Sequence, residues 1–73
     1  MGNLPYKPQS LRVLIVDDHD PIRKAIKRIL TAMKFVDITE CFDGADAIQA
    51  MARRPFDLII CDLYMRNVNV GLE

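Results

Sequence analysis

Leu11-Arg12-Val13-Leu14-Ile15-Val16-Asp17-Asp18 and Phe56-Asp57-Leu58-Ile59-Ile60-Cys61-Asp62 are two apolar runs that each close on carboxylates. Consecutive apolar residues pack on both faces only inside a sheet covered by helices, so both runs read as buried parallel strands. Parallel strands bring their C-terminal ends to one edge, where Asp17, Asp18 and Asp62 are expected to converge. Read singly, each acid is a cap or turn residue. Independent turn residues have no reason to meet at adjacent strand ends, and three that do would repel unless a divalent cation neutralised them. Hard carboxylate oxygens suit Mg²⁺, with Mn²⁺ as a substitute. His19, although beside the acids, reads as an exposed loop residue, because one imidazole adds little to a hard-oxygen site.

The segment between the runs supplies two helices and a strand. Asp20-Pro21 predicts a helix start, with a capping carboxylate and then proline where its missing N–H costs nothing. Ile22, Ala25, Ile26, Ile29, Leu30 and Met33 recur at three- and four-residue steps and define an apolar face, opposite a solvated face of Arg23, Lys24, Lys27 and Arg28. Residues 35–41 predict a short second strand interrupted by Asp37 and Glu40. Asp43-Gly44 predicts a turn, followed by a helix patterned on Ala45, Ile48, Met51 and Ala52 and ended by Arg53-Arg54-Pro55, whose basic side chains suit the negative helix end. The order β-α-β-α-β with right-handed crossovers gives an α/β fold with a parallel three-stranded sheet in order 2-1-3, and places the acids at the ligand-binding crevice of an open sheet.

A chain of 73 residues is one domain at most, and at about this size folding buries only roughly 60% of the unfolded chain's surface. The apolar fraction of 51% and charged fraction of 27% are those of a folded domain. Ten basic and ten acidic residues give zero net charge, which argues against direct attraction to nucleic acid or to an anionic membrane surface. There is no apolar stretch near the ~20 residues needed to span a bilayer, and the N-terminus lacks a signal core, so a cytoplasmic location is expected. Residues 1–10, with Gly2, Pro5 and Pro8, read as an extended leader, and the domain as residues 11–73. Cys41 and Cys61 fall on strands two apart, about 10 Å. That exceeds the roughly 7 Å a disulfide allows, so both read as reduced, packed thiols.

The residues resemble the receiver domains of two-component response regulators. Leu14-Ile15-Val16-Asp17-Asp18-His19 is similar to that family's first strand and acidic pair, Asp43-Gly44-Ala45-Asp46-Ala47 to its Asp-Gly turn and second helix, and Asp57-Leu58-Ile59-Ile60-Cys61-Asp62-Leu63-Tyr64-Met65 to its third strand and phosphoacceptor. The resemblance spans residues 11–73 and implies the N-terminal half of a flavodoxin-like receiver fold. It implies that Asp62 is the nucleophile phosphorylated by a sensor histidine kinase or phosphotransfer protein. It further implies that Asp17, Asp18, Asp62 and the backbone carbonyl of Tyr64 hold Mg²⁺, Asp17 through water. Such chemistry needs alignment and charge neutralisation more than covalent help.

Departures from the family pattern are specific. Met65 is followed by Arg66 where receivers usually have proline, and Gly71 falls nine rather than eight positions after Asp62. The chain stops before the fourth and fifth strands, which in the family carry the Ser or Thr and the Lys that bind the phosphoryl group. Two expectations follow: an exposed third strand through which the chain self-associates, and an alternative role as a phosphorylation-incompetent half-receiver that dimerises or docks on a kinase. A hydrolase on a related fold would want a carboxylate two residues after the nucleophile. Tyr64 stands there instead.

Overall fold

A computed structural model of the chain describes residues 7–62. Five main elements follow a 3-10 turn at Pro8–Ser10: β1 (Arg12–Val16), α1 (Asp20–Ala32), β2 (Asp37–Cys41), α2 (Gly44–Arg53) and β3 (Leu58–Cys61). The sheet is parallel and ordered β2-β1-β3, as the crossover rule requires. Val16 registers with Cys41 on one side and Cys61 on the other. The two cysteines therefore flank β1, and both are free. Cys41 is buried, but Cys61 is exposed, contrary to the packed reading.

Period-two alternation along β1 divides the core into two layers. Val13 and Ile15 point to α1, where Leu30, Ile26, Phe35, Ile38 and Ile60 pack, while Leu14 and Val16 point to α2 and meet Cys41, Ala47, Ala50 and Phe56. Val13, Leu14 and Ile15 are wholly buried. The apolar run of β3 reads as a buried strand on its pattern alone, but in this chain it is largely exposed, in line with the expectation of an exposed third strand: Leu58 and Ile59 stand in solvent because no described element lies on its outer side. The buried helix faces are correspondingly narrower than predicted. On α1 only Leu30 of the apolar face is fully buried, and Ile22, Ile29 and Met33 are exposed. On α2 the small Ala47 and Ala50 sit against the sheet, and Ile48 and Met51 turn outward. A three-stranded sheet covers a strip of each helix, and small residues allow the closest approach to it.

The helix ends differ from the predictions for local reasons. The N-cap position of α1 is His19 rather than Asp20, without a side-chain capping bond, and the Asp20 carboxylate instead pairs with Arg23. Its C-terminus closes without glycine. Lys34 adopts a left-handed φ of 78°, Phe35 N–H donates to Leu30 O and Lys34 N–H to Thr31 O, both at 3.0 Å, and Phe35 packs beside Leu30. These are the paired bonds and apolar contact of a Schellman cap. The cap takes Phe35 out of the second strand, so β2 starts at Asp37 instead of residue 35. Asp43 caps α2 by accepting from Asp46 N–H at 2.9 Å. No helix among the described residues is long and apolar enough to cross a membrane.

Candidate functional site

Backbone ladders carry the acids to one edge of the sheet. Asp17 N–H donates to Cys41 O at 3.1 Å, and Asp62 N–H donates to Val16 O at 3.1 Å. Asp17 is thus tied to β2 and Asp62 to β1, each one residue beyond its own strand. Past Asp17 the chain turns sharply, because the Asp17 Oδ1 accepts His19 N–H at 2.8 Å, the i to i+2 bond of an Asx turn. That turn swings Asp18 and His19 over the strand ends. His19 O then accepts Arg23 N–H at 2.9 Å and begins α1.

The result is a compact cluster. One ligand atom from each of Asp17, Asp18, His19 and Asp62 lies within 4.8 Å of all the others. Asp17 is buried, Asp18 and Asp62 are half-buried, and the His19 side chain is 47% exposed. At this spacing two carboxylate charges repel by about 3–4 kcal/mol at an effective dielectric near 20. Three carboxylates, one on a buried residue, form a hard-oxygen donor set of the kind that holds a small divalent cation. The residues present therefore fit the expected Mg²⁺. Tyr64, whose carbonyl was expected to complete that set, lies outside the described residues.

Two side chains join the site that the sequence pattern assigned elsewhere. His19 is exposed, as expected of a loop residue, yet its Nδ1 sits 3.0 Å from Asp18 Oδ1, 3.3 Å from Asp17 Oδ1 and 4.0 Å from Asp62 Oδ2. Arg23, expected on the solvated face of α1, is buried. Its Nη1 donates to Asp17 O at 2.8 Å, its Nε to Glu40 Oε1 at 3.1 Å, and its Nη2 to Asp20. The hydrogen bond to Asp20 raises the Arg23 pKa by more than burial lowers it, and Glu40 adds to the rise. Burial likewise pushes the Glu40 carboxyl up, but hydrogen bonds from Lys27, Arg23 and Lys24 together hold it below the ordinary carboxylate value. Helical spacing places Arg23 beside Lys24 and Lys27. Only the turn geometry reveals that a backbone carbonyl waits above it.

A groove of about 270 Å³ opens beside the acids, lined by Val16, Asp17, Ile22, Ile26, Ile60, Cys61 and Asp62. It gives the acidic edge an apolar approach on the α1 side.

Comparison with known proteins agrees with this arrangement. The family model described as the response regulator receiver domain matches residues 13–73. Over 66 residues the chain is 38% identical to sensor protein EvgS of Escherichia coli O157:H7, covering 90% of this chain and 5% of that protein. It is 37% identical over 62 residues to a putative transcriptional regulator of Pseudomonas aeruginosa, covering 85% of the chain and 30% of the relative. It is 36% identical over 66 residues to the sensory/regulatory protein RpfC of Xanthomonas campestris pv. campestris, covering 89% and 9%. The chain thus spans less than a third of the length of each of these curated relatives. No solved structure gives a significant match. With strands ordered 2-1-3, acids gathered at their C-terminal edge and a family match over most of its length, the chain belongs to the response regulator receiver domains of two-component systems.

Proposed function

We propose that Asp62 accepts a phosphoryl group from a phosphohistidine on a sensor histidine kinase or phosphotransfer protein, with Mg²⁺ or Mn²⁺ held by Asp17, Asp18, Asp62 and the Tyr64 carbonyl. The observation that carries this reading is the convergence of three carboxylates within 4.8 Å at adjacent strand ends. A bound cation would neutralise the phosphoryl oxygens and hold them in line with the attacking carboxylate. The chain's own contribution is placement. Asp62 is fixed by its N–H bond to Val16 O, and its side chain stays partly open to an incoming donor. As the Asp62 oxygen bonds to phosphorus, the P–N bond to the donor imidazole breaks and that imidazole leaves. Asp17, anchored through its N–H, its carbonyl and its carboxylate to Cys41, Arg23 and His19, keeps the acidic edge rigid during the transfer. A cytoplasmic location is part of this proposal.

The test is incubation with acetyl phosphate and Mg²⁺, read by intact mass. A phosphate-sized gain that Asp62→Asn abolishes is the expected result; no gain in the unaltered chain refutes it. A second reading, self-association or kinase docking without phosphate uptake, draws on the exposed Leu58, Ile59 and Cys61 of β3. It predicts a concentration-dependent dimer in sedimentation, and a dilution-resistant folded monomer would sink the self-association.

A further inference from the structure

The position of His19 goes beyond what a hard-oxygen Mg²⁺ site needs. A cation held by bonds of about 2.0–2.1 Å sets its neighbouring ligand atoms roughly 2.9–3.4 Å apart, from octahedral to tetrahedral geometry. His19 Nδ1 stands at 3.0 Å and 3.3 Å from Asp18 and Asp17 carboxylate oxygens and at 4.0 Å from Asp62. Two of these separations are edges of a coordination polyhedron, and the third is a slightly opened one. The imidazole nitrogen is in hydrogen-bonding range of Asp17, and the same separations place it where it could serve as a vertex of the acidic site.

The backbone holds it there. His19 N–H is bonded to Asp17 Oδ1 and His19 O to Arg23 N–H, so the peptide groups on both sides of the Cα are fixed. As the α1 N-cap, His19 has no side-chain capping bond. Its ring turns to the carboxylates instead. Adding one imidazole to three carboxylates changes the chemistry of the donor set, because nitrogen donors favour borderline cations such as Zn²⁺ while Mg²⁺ favours oxygen.

We propose that His19 Nδ1 is a fourth ligand of the acidic site and raises its preference for Zn²⁺ over Mg²⁺. The inference rests on the reading of Asp17, Asp18 and Asp62 as cation ligands. Ligation through Nδ1 leaves the proton on Nε2, which fixes the tautomer. Zn²⁺ held there would compete with Mg²⁺ for the position beside the proposed phosphoacceptor.

The test titrates the full ¹⁵N-labelled chain with Zn²⁺ and separately with Mg²⁺, by calorimetry and by long-range ¹H–¹⁵N spectra of the imidazole. The chain has a single histidine, so the signals need no assignment. Each titration is repeated in a Cys61→Ser background, which removes the exposed thiol as a competing Zn²⁺ ligand. Expected are a Nδ1 resonance displaced by Zn²⁺ and not by Mg²⁺, and a Zn²⁺/Mg²⁺ affinity ratio that falls about 10-fold or more in His19→Ala with Mg²⁺ affinity little changed. An unmoved Nδ1 resonance on Zn²⁺ binding, or an unchanged ratio, overturns the proposal. If the unaltered chain binds Mg²⁺ and Asp18→Asn does not while the ratio ignores His19, this inference alone fails. If the unaltered chain binds neither metal, the cation reading fails with it.

Discussion

Replacing Arg23 by alanine removes three hydrogen bonds at once, and the structure ranks them. The bond to Asp17 O, at 2.8 Å, is the buried one. A charged donor to a buried acceptor is worth about 1.5–3 kcal/mol, and its loss leaves the carbonyl without that donor. Glu40 loses Arg23 but keeps Lys24 at 3.3 Å and Lys27 at 3.2 Å, so that partner costs under about 1 kcal/mol. Asp20 is mostly solvent-exposed, and an exposed i,i+3 pair adds about 0.5 kcal/mol or less. The total is about 2–4 kcal/mol, a large share of the roughly 4–11 kcal/mol that a chain of this length can have. Urea unfolding followed by far-UV circular dichroism is the assay. With a slope near 1 kcal/mol/M, the midpoint of Arg23→Ala should fall by about 2 M or more, Arg23→Lys by roughly half as much, and Asp20→Ala hardly at all. An Arg23→Ala midpoint within about 0.5 M of the unaltered chain would refute the ranking, since it would mean that the Asp17 carbonyl does not depend on this guanidinium.

Lys34 holds a left-handed φ of 78° without being glycine, so Lys34→Gly should stabilise the chain by about 0.5–1 kcal/mol, seen as a higher urea midpoint. A lower midpoint would show that the cap relies on the lysine side chain. The Glu40 and Asp57 carboxyls are both held below their ordinary values, Glu40 by its three basic partners against burial, and Asp57 by the Arg12 backbone N–H and then the Arg12 side chain. A depressed carboxylate contributes stability that is present above its unfolded value, near 4.5 for Glu40, and lost as pH falls through its folded value. The urea midpoint should therefore hold above about pH 5 and decline below pH 4.5, and Glu40→Gln should flatten that decline.

What the sequence made legible depends on how local the cause is. Strand order and the convergence of Asp17, Asp18 and Asp62 follow from apolar runs ending in acids, because parallel pairing leaves no other edge for them. The Schellman cap was hidden because Lys34 occupies the position where glycine is the usual signal. Burial of Arg23 was hidden because its neighbours along the helix are exposed bases. Its acceptor is a backbone carbonyl, which no residue pattern marks. His19 is exposed, as a loop residue should be, and the part not legible in its residue type is that the Asx turn at Asp17 also brings its ring beside the acids.

The acidic edge is supported unequally. Asp17 extends β1, the strand buried on both faces and paired on both sides, and is bonded through its backbone and side chain to three residues. Asp62 extends β3, whose residues are largely exposed and whose described pairing is to β1 alone. Strands with few buried contacts open at lower free energy than the core does. The placement of the proposed phosphoacceptor is therefore limited by β3 and not by the Asx turn at Asp17. Any contact that covers Leu58 and Ile59 while β3 is paired to β1 would favour the position of Asp62 by its own binding free energy. The proposed docking on β3 and the proposed chemistry at Asp62 would consequently be coupled through a single strand, and such coupling is reciprocal: a ligand that holds Asp62 against Asp17 and Asp18 would also firm the surface a partner meets.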